Sequence, residues 1–424
     1  MRVLVLGAGV IGVTSAHALH RAGHEVTLVD RNELPGQGTS WGNGGIIHTS
    51  EAGPWSAPGA FKEVLRSIGR EDAPMLLRLS ALPRLWRWGP SFLRECAPER
   101  YRRNLHANLT LAIESVRALR RIRESTGIAY DQVTTGTLQV WHDQRSLDEA
   151  AATFTPLAEH GLQCRILDRA AATALEPALA TASEAVIGAV HFHADESGCC
   201  ETFTRRLAAW LVARGVDLRT GTTVERLLVE GGRVVGAATD RGELRADAVV
   251  VALGPWSAPL LATVGVRVPI FPVKGVSITM DRNAWPAAPE MVILNEGWFF
   301  ALTPLGDRLR VAGSAEFAGW DTTPAPARIA ALLDRAVRIF PDLAPCTTAP
   351  GRRDWAGLRP IVPSGVPSVG TQPKPGLWLN VGHGHLGWTL AAGSADRLAA
   401  AMGTVAAGRA ARGPQVAPRS NGKA

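Results

Sequence analysis

The sequence predicts an α/β fold, α+β overall, in which a parallel-sheet domain is interrupted by a second domain with a mixed or antiparallel sheet. Three observations predict this fold. A strand–helix–strand pattern opens the chain over 2–30, buried parallel-type strands return near 216–254, and alternating segments typical of antiparallel strands follow between 272 and 316. The 424 residues are 46% hydrophobic and 20% charged, which is enough to bury a sizeable core and excludes a disordered chain.

The first thirty residues form a complete Rossmann-like unit. Residues 2–6 are short and apolar, a helical pattern follows a glycine-rich turn, and the second strand ends at Asp30. In such units the glycines allow a tight turn, a close approach of the backbone to a pyrophosphate, and close packing of the helix on the strand. The acidic residue accepts hydrogen bonds from the ribose hydroxyls. The sequence therefore predicts a dinucleotide site. Its residues are Gly7, Gly9, Val10, Ile11, Gly12 and Asp30.

A second glycine-rich segment opens the last predicted helix. It contains Gly382, Gly384 and Gly387, but no acidic residue closes a following strand, so it is a poor second dinucleotide site. We interpret it as a helix N-terminus directed at another part of the same ligand, where its dipole would stabilise the negative charge of a reduced flavin. Together with the late return of the parallel strands, this favours FAD over NAD.

In these motifs and in several further segments, the chain resembles the FAD-dependent D-amino-acid oxidase/dehydrogenase superfamily, and most closely the bacterial D-amino-acid dehydrogenases of the small-subunit type. The matching segments occur in order from one end of the chain to the other. They are 3–16, 39–46, 54–59, 127–130, 136–139, 203–207, 272–275, 353–360 and 382–390.

The resemblance implies FAD as the cofactor and an amino acid as the substrate. A hydride would leave Cα for flavin N5, and water would hydrolyse the imino acid to a 2-oxo acid and ammonia. Electrons would then pass to a quinone or another electron carrier. Beyond the first turn, the implied FAD contacts are Arg31, Ser40, Asn43, Gly44, Gly45, Ile46, Val224, Gly254, Trp256, Gly384, His385, Leu386, Gly387, Trp388 and Thr389.

Four residues are candidates for the substrate side of the reaction. A substrate carboxylate needs a fork of donors, which arginine provides, and Arg310 and Arg359 lie on segments of the predicted substrate sheet. Lys274 follows strand-like residues of the same sheet. His48 stands where relatives often carry serine, close to the expected flavin. For each of these four residues the alternative interpretation, an ordinary surface, turn or core residue without a role in the reaction, stays open.

Charge and cysteine content point away from other functions. The net charge is +7, but acidic residues break the arginine-rich stretch 94–123, and no nucleic-acid-binding fold accompanies it. Five cysteines form no CxxC pair, so neither a disulfide framework nor a metal site is predicted. The sequence predicts a cytoplasmic protein. Residues 75–96 mix Leu and Trp with Arg, as in interfacial helices, and leave open a peripheral contact with the inner face of the cytoplasmic membrane.

The predicted division of the chain follows from these assignments. Two other functions stay open: a flavin oxidase of glycine, sarcosine or proline-type secondary amines, and a non-catalytic flavin-binding subunit. The predicted units are the discontinuous FAD-binding domain over 1–90, 191–268 and 350–402, the substrate domain over 91–190 and 269–349, and a disordered tail over 403–424.

Overall fold

The computed structural model describes residues 1–71, 73–183, 186–295 and 297–411. The strands are β1 (Arg2–Leu6), β2 (Glu25–Val29), β3 (Ile46–Ile47), β4 (Met75–Leu77), β5 (Thr137–Trp141), β6 (Arg165–Asp168), β7 (Gly188–Phe192), β8 (Glu196–Ser197), β9 (Asp217–Arg219), β10 (Val224–Glu230), β11 (Arg233–Thr239), β12 (Gly242–Arg245), β13 (Ala248–Val251), β14 (Phe271–Asp281), β15 (Val292–Asn295), β16 (Phe300–Leu305), β17 (Arg308–Phe317), β18 (Arg353–Ile361), β19 (Ser368–Lys374) and β20 (Leu377–Val381). The α-helices are α1 (Val10–Arg21), α2 (Ala60–Arg66), α3 (Leu82–Glu95), α4 (Pro98–Thr126), α5 (Gln144–Phe154), α6 (Arg169–Leu175), α7 (Cys200–Val212), α8 (Ser257–Ala262), α9 (Pro326–Ile339), α10 (Ala344–Thr348) and α11 (Gly387–Ala411).

A six-stranded sheet carries the first glycine turn. Its order is β19-β20-β13-β1-β2-β9, and all neighbours except β19 and β20 run parallel. The central strands β1 and β13 are apolar and buried because helices and an antiparallel ribbon cover the two faces. The predicted return of parallel strands is confirmed for β9 and β13. The segment between them instead forms a separate antiparallel sheet, β10-β11-β12.

Helices α1, α4, α7 and α11 pack together on one side of this sheet. Val116, Leu119 and Ile122 of α4 share a core cluster with Val3 of β1. At the α4–α11 crossing the backbones are so close that a Cβ on Gly393 would lie 2.9 Å from Ser115. Helix α4 therefore packs with the nucleotide-binding sheet, although the predicted division places it in the substrate domain.

A nine-stranded sheet forms the second layer of the molecule. Its order is β18-β14-β17-β16-β15-β5-β7-β6, with β4 paired to β17. The predicted antiparallel segments β14, β16 and β17 are confirmed. Strand β18 pairs with β14 at the edge of this sheet. The predicted boundary at 350, which assigns β18 to the FAD-binding domain, therefore places it with the wrong sheet. Helix α11 extends past the boundary predicted at 402, and residues 412–424 lie outside the described residues.

Helix α3 buries one face and exposes the other. Trp88 packs against Phe92, Phe271 and Phe317, whereas Trp86 and Leu93 are exposed. Among the described residues, no helix is both long and apolar enough to cross a membrane.

Candidate active site

One continuous cavity of about 1480 Å³ links the two glycine-rich segments. Its walls include Gly7 and Gly9 at one end, and Gly382 to Gly387 together with residues of the nine-stranded sheet at the other. Pockets for single small molecules usually measure about 300–1,000 Å³. The volume and shape of this cavity therefore suit a long ligand and, beside it, a small substrate.

The first turn fits closely against its own sheet. Gly7 has φ +105°, and a Cβ there would lie 2.6 Å from the carbonyl oxygen of Ala252. A Cβ on Gly12 would overlap the carbonyl of Gly7, so helix α1 can approach the turn only because residue 12 is glycine. The N–H of Val10, at the start of α1, donates to Ser40 Oγ over 3.0 Å. Free helical N–H groups and the helix dipole make this end suitable for phosphates.

Asp30 both shapes this turn and lines the cavity. Its Oδ2 accepts a hydrogen bond of 2.6 Å from the N–H of Ala8, and its Oδ1 accepts one of 2.8 Å from the N–H of Asn32. Nearby, the guanidinium of Arg31 lies 4.0 Å from the ring centre of Trp256. Trp320, which the sequence analysis did not single out, lies 5.8 Å from Trp256 and extends this aromatic wall.

The middle of the cavity is bounded by the loop from Asn43 to Ile46, and Arg310 supports that loop from behind. The Nη1 of Arg310 donates to the carbonyl of Asn43, and its Nε donates to Thr279 Oγ1, both over 2.9 Å. Arg310 is buried, which lowers its pKa, and it is absent from the cavity wall. Its predicted role as a substrate anchor is therefore not supported, because Arg310 lies behind the cavity wall, with one donor on the loop and one on Thr279 of β14.

Lys274 also lies outside the cavity wall. Its Nζ contacts Asp321 Oδ2 at 2.6 Å and Glu316 Oε2 at 3.4 Å, and the hydrogen bond from Lys274 lowers the pKa of Asp321 to about 2. Two carboxylates thus hold this ammonium within the fold. The structure therefore places Lys274 in a buried ion-pair network and not in the wall of the cavity.

Arg359 is the predicted arginine that faces the cavity. Its Nη1 donates to the carbonyl of Ser314 over 2.9 Å, and its guanidinium lies 5.5 Å from the ring centre of Trp55. Among the described residues no carboxylate pairs with it, and burial lowers its pKa to about 10. The side chain is therefore still a cation at neutral pH and is available to an anionic group.

Two histidines complete this end of the cavity. The backbone N–H of His48 donates to Thr389 Oγ1 over 3.2 Å, and its ring Nδ1 has no partner among the described residues. Burial lowers the pKa of His48, against an opposing effect of Asp195. Burial also lowers the pKa of His385 to about 3, and its ring stacks on Trp55 at 5.1 Å. Both imidazoles are therefore neutral near pH 7.

The comparison with known families agrees with this geometry. The family described as FAD dependent oxidoreductase (DAO) matches residues 2–401. The chain belongs to this family. The predicted family, the fold class and FAD as the cofactor are thereby confirmed.

Proteins similar in sequence or in structure cover nearly the whole chain. It is 43% identical to a D-amino acid dehydrogenase of Paramagnetospirillum magneticum, over 93% of each chain. It is also 43% identical to a D-amino acid dehydrogenase of Dechloromonas aromatica, over 94% of this chain and 96% of the relative. Glycine oxidase from Bacillus cereus shares the fold, with a TM-score of 0.72, 22% identity and 95% coverage of both chains.

The residues that line the cavity of this protein fit FAD. The turn at Gly7 leaves no room for a side chain, an acidic residue stands at the end of β2, and the cavity continues from there to a second helix N-terminus. Of the predicted contacts, the following line the cavity: Gly7, Gly9, Val10, Ile11, Asp30, Arg31, Ser40, Asn43, Gly44, Gly45, Ile46, Val224, Gly254, Trp256, Gly384, His385, Gly387 and Trp388.

Three predicted FAD contacts lie behind the cavity wall. Gly12 packs against the turn, Leu386 packs with Leu111 and Leu390, and Thr389 holds the backbone of His48. The sequence analysis also missed several wall residues. Trp55 and Trp355 lie in segments that carried the family resemblance, but nothing in the local pattern marks the others. The missed residues are Glu51, Trp55, Tyr101, Trp320 and Trp355.

Proposed function

We propose that this protein oxidises D-amino acids to 2-oxo acids and ammonia, with FAD as its cofactor and an electron acceptor other than oxygen. The names of the relatives at 43% identity support the substrate class. The geometry supports it too, because one cavity holds both a dinucleotide cradle and a substrate chamber, which we define by Arg359, His48, His385 and Trp55.

The cation of Arg359 is the observation that carries this proposal. The Arg359 side chain is half-buried and has no carboxylate partner in the described part of the chain, so its charge is stabilised when an anion binds to it. Within the described residues, one of its N–H groups is used, by the carbonyl of Ser314. The remaining donors match the two oxygens of an amino-acid carboxylate, so Arg359 would fix the position and orientation of the substrate.

FAD would be held along the cavity by the two glycine-rich segments. The turn from Gly7 to Val10 would bind the pyrophosphate, Asp30 the ribose, and the loop from Asn43 to Ile46 the middle of the cofactor. The helix start at Gly384 to Gly387 would face the flavin edge. Bound there, FAD supplies the acceptor for the hydride that leaves Cα.

His48 would act on the amino group of the substrate. Oxidation at Cα requires a neutral amine, and a neutral imidazole can accept a hydrogen bond or a proton from it. The buried His48 ring is neutral near pH 7 and has an unpartnered Nδ1 within the described structure. The stacked rings of Trp55 and His385 close the chamber wall and limit access of water.

Anaerobic mixing tests this function. Purified holoenzyme is mixed with D-alanine, D-methionine and D-arginine, and with the L-enantiomers, glycine and sarcosine, while the flavin absorbance is followed. We expect bleaching by D-amino acids and slow reoxidation by air compared with a quinone analogue. Peroxide formation that matches turnover in air would favour the oxidase alternative. A flavin that no amine bleaches would favour the non-catalytic one.

An exposed patch on and before α3 supports a membrane-bound acceptor such as a quinone. Leu79, Leu82, Trp86 and Leu93 are 42–66% exposed, and the guanidinium of Arg87 lies 4.7 Å from the ring of Trp86. Apolar side chains mixed with arginine are typical of contact with anionic lipid surfaces. We propose that this patch touches the membrane while the rest of α3 packs on the protein.

Vesicle flotation tests this contact. We expect binding to vesicles that contain anionic phosphatidylglycerol, weaker binding to phosphatidylcholine alone, and loss of binding in Trp86→Ser combined with Leu79→Ser. Val229→Ser is the matched control, because Val229 is also an exposed apolar residue but lies on the separate antiparallel sheet. Equal binding of both variants would contradict the proposal.

A further inference from the structure

Strand β17 contains a β-bulge beside the guanidinium of Arg359. The pairing of β17 with β14 shifts at this point, so that two residues of β17, Ser314 and Ala315, lie opposite the single residue Gly275. Bulges redirect the side chains and the backbone of a strand and are common next to active sites. Here the bulge brings Ser314 to the wall of the cavity.

Ser314 has a backbone conformation that is unusual for a serine. Its φ is +68°, in the left-handed region, although the residue belongs to a strand. Glycine adopts this conformation without strain, whereas a residue with a side chain does so only where its surroundings hold it there. The serine at this position is therefore explained by what its hydroxyl contacts.

The hydroxyl of Ser314 is held by a buried arginine of α9. Its Oγ accepts a hydrogen bond of 2.6 Å from Nη2 of Arg328, whose side chain is 1% exposed. The same guanidinium donates to the carbonyls of Ala73, over 2.5 Å, and Pro74, over 3.3 Å. Because a guanidinium presents its donors in a rigid fork, Arg328 joins the bulge to α9 and to the segment before β4.

The carbonyl of the same serine holds Arg359. It accepts the hydrogen bond of 2.9 Å from Nη1 of Arg359, which faces the cavity. A hydrogen bond to the hydroxyl restricts the motion of Ser314, and with it the direction of its carbonyl. Two guanidinium groups, one within the fold and one in the substrate chamber, are thus connected through one strained residue.

We propose that Ser314 is a positioning residue for the reaction, which directs the guanidinium of Arg359 towards the substrate carboxylate, and that Arg328 holds Ser314 in the conformation this requires. The inference rests on the proposed function, because it takes Arg359 as the substrate anchor. A donor fork that is already fixed before the substrate arrives loses less conformational entropy on binding, so its affinity for the substrate is higher.

Ser314→Gly tests this role, because glycine accepts the left-handed backbone but lacks the hydroxyl. In the holoenzyme we expect KM for D-alanine to rise about 5- to 10-fold while kcat changes less than about twofold. Ser314→Ala lacks the same hydroxyl and should give the same result; it replaces the glycine variant if added backbone freedom impairs folding. Bound FAD and the urea midpoint are measured on every variant.

Asp131→Gly is the matched control. Asp131 also has a positive φ, of +56°, and its carboxylate accepts a hydrogen bond of 2.9 Å from Nη2 of an arginine, Arg308. It therefore loses the same kind of contact at the same kind of backbone position, but it lies outside the cavity wall. We expect its KM for D-alanine to stay within about twofold of the wild-type value.

A double-mutant cycle separates positioning from a general structural role. In the Arg359→Gln variant the anchor is gone, so adding Ser314→Gly should change kcat/KM for D-alanine by less than about twofold. An equal loss of kcat/KM in both backgrounds would overturn the inference, because Ser314 would then affect the site without Arg359. A KM of the Ser314 variants within about twofold of the wild-type value would also overturn it.

Propionate, which is D-alanine without its amino group, gives a readout that does not depend on turnover. Its dissociation constant, measured from the change in flavin absorbance, should rise in Ser314→Gly by about the same factor as KM. If no D-amino acid bleaches the wild-type flavin, the proposed function fails, and the propionate titration still shows whether Ser314 positions the carboxylate anchor. An unchanged dissociation constant in Ser314→Gly would contradict the positioning role.

Discussion

The guanidinium of Arg359 lies directly against the backbone of Gly275 on the neighbouring strand. A Cβ built on Gly275 would overlap Nη1 and Nη2 of Arg359. The two residues are diagonal neighbours across the β14–β18 pairing, in which Val273 pairs with Arg359 and Gly275 with Gly357. The guanidinium of Arg359, the proposed substrate anchor, therefore occupies space that is open only because residue 275 has no side chain.

Gly275→Ala should weaken substrate binding without unfolding the protein. The added methyl group meets the far end of a flexible side chain, which can move, but the guanidinium then leaves its position. We expect KM for D-amino acids to rise about tenfold, with a smaller change in kcat, because a displaced anchor costs mainly binding energy. Steady-state kinetics check this, with Gly403→Ala as a control on α11, where an added Cβ meets no atom within 4 Å. A Gly275 variant with unchanged KM would contradict the assignment of the anchor.

Arg310→Gln and Arg359→Gln should have different effects. Loss of Arg310 removes the support of the Asn43 carbonyl, so we expect weaker retention of FAD, measured as faster cofactor loss during gel filtration. Loss of Arg359 removes the donor fork in the chamber, so we expect KM for carboxylate substrates to rise by a factor of about 100 or more. If the Arg310 variant keeps its FAD and loses only substrate affinity, the roles of the two arginines are reversed.

Patterns along one segment predicted much of the cofactor end. The spacing of Gly7, Gly9 and Gly12 with Asp30 carries its own geometry, because a strand, a turn and a helix that adjoin in sequence also adjoin in space. The same is true of the helix start at Gly384. For this reason the contacts predicted from the first turn line the cavity, except Gly12, which packs behind it, whereas the contacts from Arg31 onward were implied by the family resemblance.

The substrate end could not be predicted in this way. Its wall is formed by β14, β18, the loop after β3 and helix α4, which are distant from one another in sequence. No local sequence pattern indicates which of their side chains come into contact. Arg310 and Arg359 are both arginines on strands of one sheet, and only the tertiary packing shows that the first supports a loop whereas the second faces the cavity. Glu51 and Tyr101 lie in segments without a distinctive motif.

The buried lysine predicts a stability effect. Lys274→Met removes the cation that contacts Glu316 and Asp321. Among the described residues, the buried Glu316 then keeps Arg78 as its ion-pair partner. We expect the free energy of unfolding to fall by about 3 kcal/mol, measured by urea denaturation in the presence of excess FAD. In a double-mutant cycle, adding Glu316→Gln should cost less in the Lys274→Met variant than in the wild type. Additive effects of the two changes would show that this ion pair does not stabilise the fold.

Acid should destabilise the protein through its buried histidines. His17 offers the cleanest test, because it lies on α1 with its ring against Trp210 and does not line the cavity. Burial lowers its pKa from 6.5 to about 4, so between these values the unfolded chain binds a proton that the folded protein does not. Its contribution to stability is complete above pH 6.5 and decreases as the pH falls, by about 1.4 kcal/mol per pH unit. Between about pH 7.5 and about pH 5 the wild type should therefore lose about 2 kcal/mol more stability than His17→Leu, measured by urea denaturation with excess FAD. Equal losses in the two proteins would mean that His17 is protonated as readily in the folded state as in the unfolded chain.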